Sequence, residues 1–409
     1  MHAVTLTLIG VEHAPLPASV GTIARQLRGA LDGGPALAPL ARLHAGDLPD
    51  GTAVVVRTSG STGTPREVAL TAAALRASAT ATHERLGGPG RWVLSLPATH
   101  VAGVQVVMRS LLAADAGVPT PLVAAEPGAR FTPDGLAALL APALVDDAPV
   151  HVSLVPTQLH RVLAAADDGA PAGLEALARC GSVLLGGAAT PPPLLARALA
   201  LGVPVVRTYG MSETAGGCVY DGVPLTGVRL RLAAAGGPGV VEIAGPTLAA
   251  CYVGDPDATA AVFRTDDDGT RWFRTSDLGT LDAGVLAVLG RADDVVVTGG
   301  VNVAPAAVEA VLAEVLPGVL GVRGAEVCVV GVPDAEWGQA LVAVVATQDA
   351  PSGAFAPLPP EVLAPVRAAV AARLGAPSAP RRVYVTGSLP LRGPGKVDRR
   401  AVAEAAAAH

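Results

Sequence analysis

The chain has 409 residues, 51% of them hydrophobic but only 3% aromatic, with 29 basic and 35 acidic side chains and a net charge of -6. Such a length holds two or three folding units around a large core, here built mainly from Ala, Val and Leu. The near balance of charge, without basic runs or an acidic tail, excludes an electrostatic nucleic-acid binder and a disordered arm, and it leaves any bound anion to local donors.

The first patterned segment is the β-branched run Ala53–Val56, which reads as a strand. It feeds the loop Thr58-Ser59-Gly60-Ser61-Thr62-Gly63-Thr64-Pro65-Arg66, and helical spacing follows from Thr71 to His83. Glycines let backbone approach an oxyanion, the hydroxyls donate hydrogen bonds, and Arg66 adds a fixed charge. This is chemistry for holding polyphosphate. It is not a Walker loop, because Pro65 stands where that motif needs glycine. The bland alternative is a polar surface turn.

Short apolar runs then alternate with Ala/Leu-rich helical stretches. Val93–Leu96, Val152–Val155, Ser182–Leu185 and Val203–Val206 read as strands, and Leu136–Leu144 and Leu174–Cys180 as helices. That alternation predicts α/β layers with largely parallel, buried strands. From about Val228 the texture changes. Val240–Ile243, Trp272–Thr275 and Val285–Leu289 are short strands set apart by Gly and Asp, which predicts a small antiparallel sheet or barrel. Gly290-Arg291-Ala292-Asp293-Asp294 punctuates the chain, and a strand at Val295–Val297, a helix opened by Pro305 and further α+β elements follow. The expected organisation is therefore a domain over 1–291 and a smaller α+β domain over 293–409. Pro351–Pro360 reads as a loop within the latter, and the Ala-rich tail after Val402 as a frayed helix end.

Cys180, Cys218, Cys251 and Cys328 lie far apart with no Cys-x-x-Cys pair, so neither a zinc site nor a disulfide framework is expected. Mean hydropathy is +0.48, but Pro, Gly, Arg or Asp breaks each apolar run short of membrane-spanning length. Met1-His2-Ala3-Val4 lacks the features of a signal peptide, and a reduced, soluble, cytoplasmic protein is expected.

Four further motifs carry chemistry. In Thr208-Tyr209-Gly210-Met211-Ser212-Glu213-Thr214 a tyrosine can stack on a purine, and Glu213 can hold magnesium, which prefers oxygen ligands. In Arg274-Thr275-Ser276-Asp277 an aspartate at a strand end can accept both hydroxyls of a ribose. Asp293 and Asp294 beside Arg291, with Gly299, Gly300 and Glu309 downstream, suit a hinge better than a core. Lys396, in Pro394-Gly395-Lys396-Val397-Asp398-Arg399, lies between glycine and a short helix, where a lysine is exposed and mobile. Each has an ordinary counterpart: a packed corner tyrosine, a turn aspartate, a polar turn, a solvated lysine.

Order and spacing together decide among these readings. All five motifs, from about Val54 to Arg399, follow the pattern of the acyl-adenylate-forming superfamily, which the chain resembles over most of its length. The resemblance implies a large N-terminal domain of layered α/β subdomains plus a small antiparallel sheet or barrel, hinged to a small α+β C-terminal domain. It implies that the loop of Thr58, Ser59, Gly60, Ser61, Thr62, Gly63 and Arg66 holds the β- and γ-phosphates of ATP. Tyr209, with Gly210, Ser212 and Thr214, would match the adenine-side motif, and Glu213 the magnesium carboxylate. Gly187 and Ala188, in Gly186-Gly187-Ala188-Ala189, would line adenine and the acyl pocket. Asp277 and Arg291 would contact the ribose. His100, in Leu96-Pro97-Ala98-Thr99-His100-Val101-Ala102-Gly103, would gate the acyl carboxylate. Asp293 would be the hinge, Gly299 and Gly300 would line the CoA channel, and Lys396 would bridge the carboxylate and the α-phosphate.

The implied activity is ATP- and Mg2+-dependent activation of a small carboxylic acid, with CoA as co-substrate and without nucleic-acid or membrane partners; a homodimer is compatible with it. The phosphate loop sits early, near residue 58, which is read as a trimmed amino-terminal region. The compact stretch Glu213–Leu225, with Asp293–Val303, resembles the 2-succinylbenzoate–CoA ligases of menaquinone biosynthesis. Ser153, Thr157, Gln158 and the Gly216-Gly217 turn are candidate anchors for that acid's second carboxylate. Other aryl- or fatty acyl-CoA ligases, a stand-alone adenylation enzyme and a silent nucleotide-binding relative are the alternatives. Three departures stand out: Arg66 where lysine is commoner, Ser276 in place of glycine before Asp277, and Val297 in place of a lysine after the hinge.

Overall fold

A computed structural model describes residues 18–39, 48–58, 65–126, 128–233, 238–322, 325–347, 350–351, 353, 355–392 and 396–409. The described chain packs as two compact units. The first takes the residues up to Gly187 together with Ala198–Leu230 and Glu242–Arg274; the second takes Ala188–Arg197, Arg231–Val241 and Thr275–His409.

The first unit is organised by a seven-stranded sheet. Leu122–Ala124, Arg91–Leu94, Val150–Leu154, Ser182–Leu185 and Val205–Met211 lie side by side in that order and run parallel. Gly216–Tyr220 and Val223–Pro224 extend the sheet antiparallel. Every residue of the strands starting at Arg91, Val150 and Ser182 is buried. Burial on both faces is why residues 92–94 and 183–185 read as continuous apolar runs, whereas Val150–Leu154 also buries His151 and Ser153. Parallel neighbours need crossovers, and Val101–Asp115, Pro133–Leu140, Pro156–Asp167 and Ala172–Ala178 supply helices for them. Two of these helices open on proline at the first turn, where no amide hydrogen is missed. Pro133 starts its helix three residues before the expected Leu136, and the helix ends at Leu140.

A second, three-stranded sheet in this unit pairs Thr52–Arg57 with Glu67–Thr71, whose other edge takes Cys251–Tyr252. Helix Ala72–Arg85 follows at once, capped by the Thr71 hydroxyl accepting from the Ala74 amide at 3.1 Å.

The change of texture near Val228 is antiparallel, as expected. Phe263–Thr265 pairs with 271–273 in the first unit, and 277–282 pairs with Val285–Arg291 in the second. The rest of the second unit is α+β. Its longest ladder joins Glu326–Asp334 to Gly338–Ala346, and Arg382–Thr386 adds a parallel strand. Side chains of Gly338–Ala346 alternate between two cores, as a pleated strand dictates. Leu341, Ala343 and Val345 meet Val308, Leu312 and Val366 from helices Pro305–Leu320 and Pro360–Leu374. Ala340, Val342 and Val344 meet Val402 and Ala406 from helix Arg399–Ala407. Each fully buried valine contributes about 1.5–3 kcal/mol.

The Ala-rich tail is thus not frayed. Val402 and Ala406 are fully buried, and the Asp398 carboxylate caps the helix by accepting from the Ala401 amide. No helix among the described residues is long and apolar enough to cross a membrane.

Candidate active site

In a parallel sheet the loops leaving the carboxyl ends of the strands form the natural binding edge. In the first unit that edge carries Ser95–His100, Val155, Gly186–Gly187 and Ser212–Gly216. His100, Gly187, Ser212, Glu213 and Thr214, far apart in sequence, therefore share one edge of one sheet. The Ser95 hydroxyl donates to the Ser153 carbonyl at 2.8 Å and ties two of these exits together. His100 stands at the amino end of helix Val101–Asp115, fixed by its amide bonding the Pro97 carbonyl at 3.2 Å.

The turn that displays Glu213 is strained and heavily braced. Strand Val205–Met211 runs into a single 3-10 turn, Ser212–Thr214, and Ala215 follows in the left-handed region at φ 51°. A non-glycine residue there costs on the order of 1 kcal/mol or more. The Ala215 carbonyl accepts from Gln105 Nε2 at 2.7 Å and from the Ser78 hydroxyl at 3.2 Å, which holds the turn in place. The buried Thr214 hydroxyl accepts from the Met211 amide at 3.0 Å and donates to the Gly216 carbonyl at 2.7 Å. Gly210 permits the fold-back: a β-carbon there would lie 2.1 Å from the Gly216 carbonyl oxygen. Tyr209, half-buried, sits on the same strand and pairs with Val219.

Residues 59–64 of the glycine-rich loop, and with them Ser59, Gly60, Ser61, Thr62 and Gly63, lie outside the described residues. The loop's stem is described. The Thr58 amide donates to the Arg66 carbonyl at 2.8 Å, and the Arg66 amide donates to the Thr58 hydroxyl at 2.9 Å. The Arg66 guanidinium lies 5.0 Å from the ring centre of Tyr252. The Tyr252 hydroxyl donates to Glu213 Oε1 at 2.8 Å, and the Glu213 carbonyl accepts from the Ala249 amide at 2.8 Å. Burial, and then the Glu213 carboxylate, push the Tyr252 hydroxyl well above the ordinary tyrosine range, so it stays a donor. Arg66, Tyr252 and Glu213 thus form one chain from the stem of the loop to the carboxylate. Tyr252 is a residue of this site that sequence reasoning missed; its local signal is an aromatic side chain in a short strand.

In the second unit Asp277 and Arg291 face each other across the hairpin as register partners, with Arg291 Nη1 3.8 Å from Asp277 Oδ1. The Asp277 amide donates to the Thr275 hydroxyl at 2.9 Å. Arg291 Nη2 also donates to Asp293 Oδ2 at 2.6 Å, so one guanidinium links both carboxylates. Burial works against its charge, but the hydrogen bond and fields of Asp293, Asp277 and Asp294 win and raise its pKa. Gly299 and Gly300, both at positive φ, make the two-residue turn between Val296–Thr298 and Val301–Val303. A β-carbon on Gly299 would lie 2.5 Å from the Trp337 ring. Beside it is a cleft of about 230 Å³ lined by Thr298, Gly299, Trp337, Arg367 and Arg381. Lys396 lies on the two-residue strand Lys396–Val397, paired with Leu391–Arg392. Ala188 opens a segment that packs with this second unit.

Residues 18–253 match the AMP-binding enzyme family, and residues 307–396 match the AMP-binding enzyme C-terminal domain. The chain belongs to the AMP-binding enzyme family. Among curated relatives of this AMP-binding enzyme is a probable 2-succinylbenzoate–CoA ligase of Mycobacterium tuberculosis, 44% identical over 372 residues that span 89% of this chain and 87% of the relative. Among solved structures, the o-succinylbenzoate CoA synthetase of Bacillus subtilis in complex with the acyl-adenylate intermediate OSB-AMP matches with a TM-score of 0.67 and 27% identity, over 86% of this chain and 69% of that one. The same synthetase in complex with ATP and a magnesium ion matches with a TM-score of 0.66 and 28% identity, over 86% and 70%. The layered α/β fold read from the sequence is that of this family.

Of the candidate anchors for a second carboxylate, Gln158 has its side-chain oxygen accepting from the Val155 amide at 3.0 Å. Ser153 is buried within its strand. A β-carbon on Gly217 would crowd the Tyr220 ring at 2.9 Å.

Proposed function

We propose that this AMP-binding enzyme is an ATP-dependent 2-succinylbenzoate–CoA ligase of menaquinone biosynthesis, acting in the cytoplasm. The acid's identity is carried by the 44% likeness, over nearly the whole chain, to the Mycobacterium ligase. Activation is supported by the first unit, where a braced, strained turn displays one carboxylate tied through Tyr252 to the stem of a glycine-rich loop.

A carboxylate is a poor electrophile. In the proposed reaction its oxygen attacks the α-phosphorus of ATP and diphosphate leaves, giving an acyl-AMP. The sulfur of CoA then attacks the acyl carbonyl, and AMP departs with the electron pair of the broken C–O bond. The work is positioning and charge neutralisation. Thr58, Arg66 and the loop between them are assigned the outer phosphates, Tyr209 with Gly187 and Ala188 the adenine, and Asp277 with Arg291 the ribose. His100 is placed beside the acyl carboxylate, and Lys396 on the negative charge that grows between carboxylate and phosphorus.

A magnesium ion fits the donor set. The described residues hold no cluster of three His, Cys, Asp or Glu, and magnesium bound to a nucleotide needs only one or two protein carboxylates. Glu213 would hold it, and the ion would supply charge neutralisation at the phosphates. Lys396 serves adenylation and must give way to CoA, so we assign residues 293–409 to a mobile domain with Asp293 as pivot and Gly299-Gly300 to the CoA channel. Trp337, Arg367 and Arg381, which sequence reasoning did not single out, suit an anionic co-substrate beside that channel.

The test is a panel of acids with ATP and CoA, scored for AMP and acyl-CoA. 2-Succinylbenzoate should be turned over far better than benzoate or octanoate, because a pocket built for a second carboxylate leaves its donors unpaired when that group is missing. If octanoate or benzoate matched it, the menaquinone assignment would fail while acid activation would stand.

A further inference from the structure

We infer that Arg399 is a positioning residue for Lys396, acting through a bidentate ion pair with Glu309. The inference rests on the proposed role of Lys396 in adenylation. Arg399 opens the helix Arg399–Ala407, three residues after that lysine, so its Cα lies within about 10 Å of chain reach. Its Nη1 is 2.7 Å from Glu309 Oε1, and its Nη2 donates to Glu309 Oε2 at 2.8 Å. Nη1 also donates to the Val329 carbonyl at 2.8 Å, and Nε lies 3.5 Å from Asp294 Oδ2. Glu309 Oε1 in turn accepts from the Val329 amide at 2.8 Å. One planar guanidinium therefore joins helix Pro305–Leu320, strand Glu326–Asp334 and the residue that follows Asp293. Burial opposes its charge, but Glu309 and Asp294 more than offset this and keep it firmly protonated.

Among the described residues, the strand carrying Lys396 has few other ties. It is two residues long and, among the described residues, pairs with Leu391 and Arg392. Val397 packs at the margin of the Cys328–Val342–Val402 core, and the Asp398 amide donates to the Pro390 carbonyl at 2.8 Å. The helix behind it, by contrast, is already secured by Val402, Ala406 and the Asp398 cap. The ion pair is thus set where it governs placement of the strand more than cohesion of the helix. Lysine cannot reproduce it, since the forked geometry needs a guanidinium. A shift of about 1 Å in a positioned group is enough to lower a rate on the order of 100-fold.

The experiment uses full-length Arg399→Lys and Glu309→Gln, with Lys396→Ala in parallel. Three quantities are measured: diphosphate–ATP exchange dependent on 2-succinylbenzoate, thioester formation from supplied acyl-adenylate and CoA, and the melting temperature. Arg399→Lys and Glu309→Gln should each slow exchange by one to two orders of magnitude (about 10- to 100-fold). They should leave thioester formation at the wild-type rate, and the double variant should be no worse than either single one. If both half-reactions fall together in step with melting temperature, Arg399 is structural and the inference is overturned. If Lys396→Ala slows exchange but the other two variants do not, the inference fails and the role of Lys396 stands. If Lys396→Ala leaves exchange intact, that role fails and takes the inference with it. Should Arg399→Lys not fold, Glu309→Gln, which keeps shape and an acceptor, decides alone.

Discussion

Removing one hydroxyl, in Tyr252→Phe, tests the chain from the loop stem to the carboxylate. The Tyr252 hydroxyl lies 2.8 Å from Glu213 Oε1 and the tyrosine is 4% exposed. A hydrogen bond to a charged acceptor contributes about 1.5–3 kcal/mol. Phenylalanine keeps the ring, and with it the contact of about 0.5–1 kcal/mol with the Arg66 guanidinium. The turn itself is braced from the other side by Gln105 and Ser78. The fold should therefore lose only about 1–2 kcal/mol, because water can reach part of the vacated carboxylate. Glu213, the proposed magnesium ligand, is held less firmly in this variant, so the Mg2+ concentration giving half-maximal adenylation should rise. The adenylation rate at saturating Mg2+ should fall about tenfold, equivalent to about 1.4 kcal/mol. Thioester formation from supplied acyl-adenylate should be unchanged. The assay is diphosphate–ATP exchange over a Mg2+ titration, alongside urea unfolding. A variant with the wild-type rate and Mg2+ dependence would refute the claim that Tyr252 holds Glu213 for the reaction.

Two further outcomes follow. His83 accepts from Trp92 Nε1 at 3.2 Å and His151 packs on the same ring, and burial lowers both pKa values from 6.5 to about 4. The unfolded chain therefore binds more protons between those values, so stability should be full above about pH 6.5 and fall as pH drops toward 4. The loss is at most about 3 kcal/mol for each histidine, and an unfolding series in which His151→Phe leaves the slope unchanged would contradict this. Asp293→Pro fixes φ at the proposed pivot; one half-reaction should survive and the other suffer, and wild-type rates in both would remove Asp293 from that role.

Much of this was legible because the signals are local. The strand before Thr58, the helix that ends near Arg85 and the exit of Val205–Met211 into Glu213 are local signals, but the strand Glu67–Thr71 between Arg66 and that helix was not read from the sequence. Tyr252 was not legible. Its partner strand, Glu67–Thr71, lies nearly two hundred residues earlier, and the pairing of Cys251 with Ala69 and of Tyr252 with Val68 brings the two together. Arg399 and Glu309 were visible as neighbours of motifs but not as a pair, for the same reason. The tail was misread because a run of alanines shows no periodic contrast. Val402 and Ala406, four residues apart, nonetheless share one buried face.

The central claim is that the acid is activated as an adenylate. The most direct measurement supplies 2-succinylbenzoate labelled with oxygen-18 in its carboxylates, together with ATP, Mg2+ and CoA, and follows the label by mass spectrometry. Attack on the α-phosphorus predicts one labelled oxygen in the AMP released and none in the diphosphate. Label in inorganic phosphate, with ADP as the nucleotide product, would mean attack at the γ-phosphorus and would contradict the account.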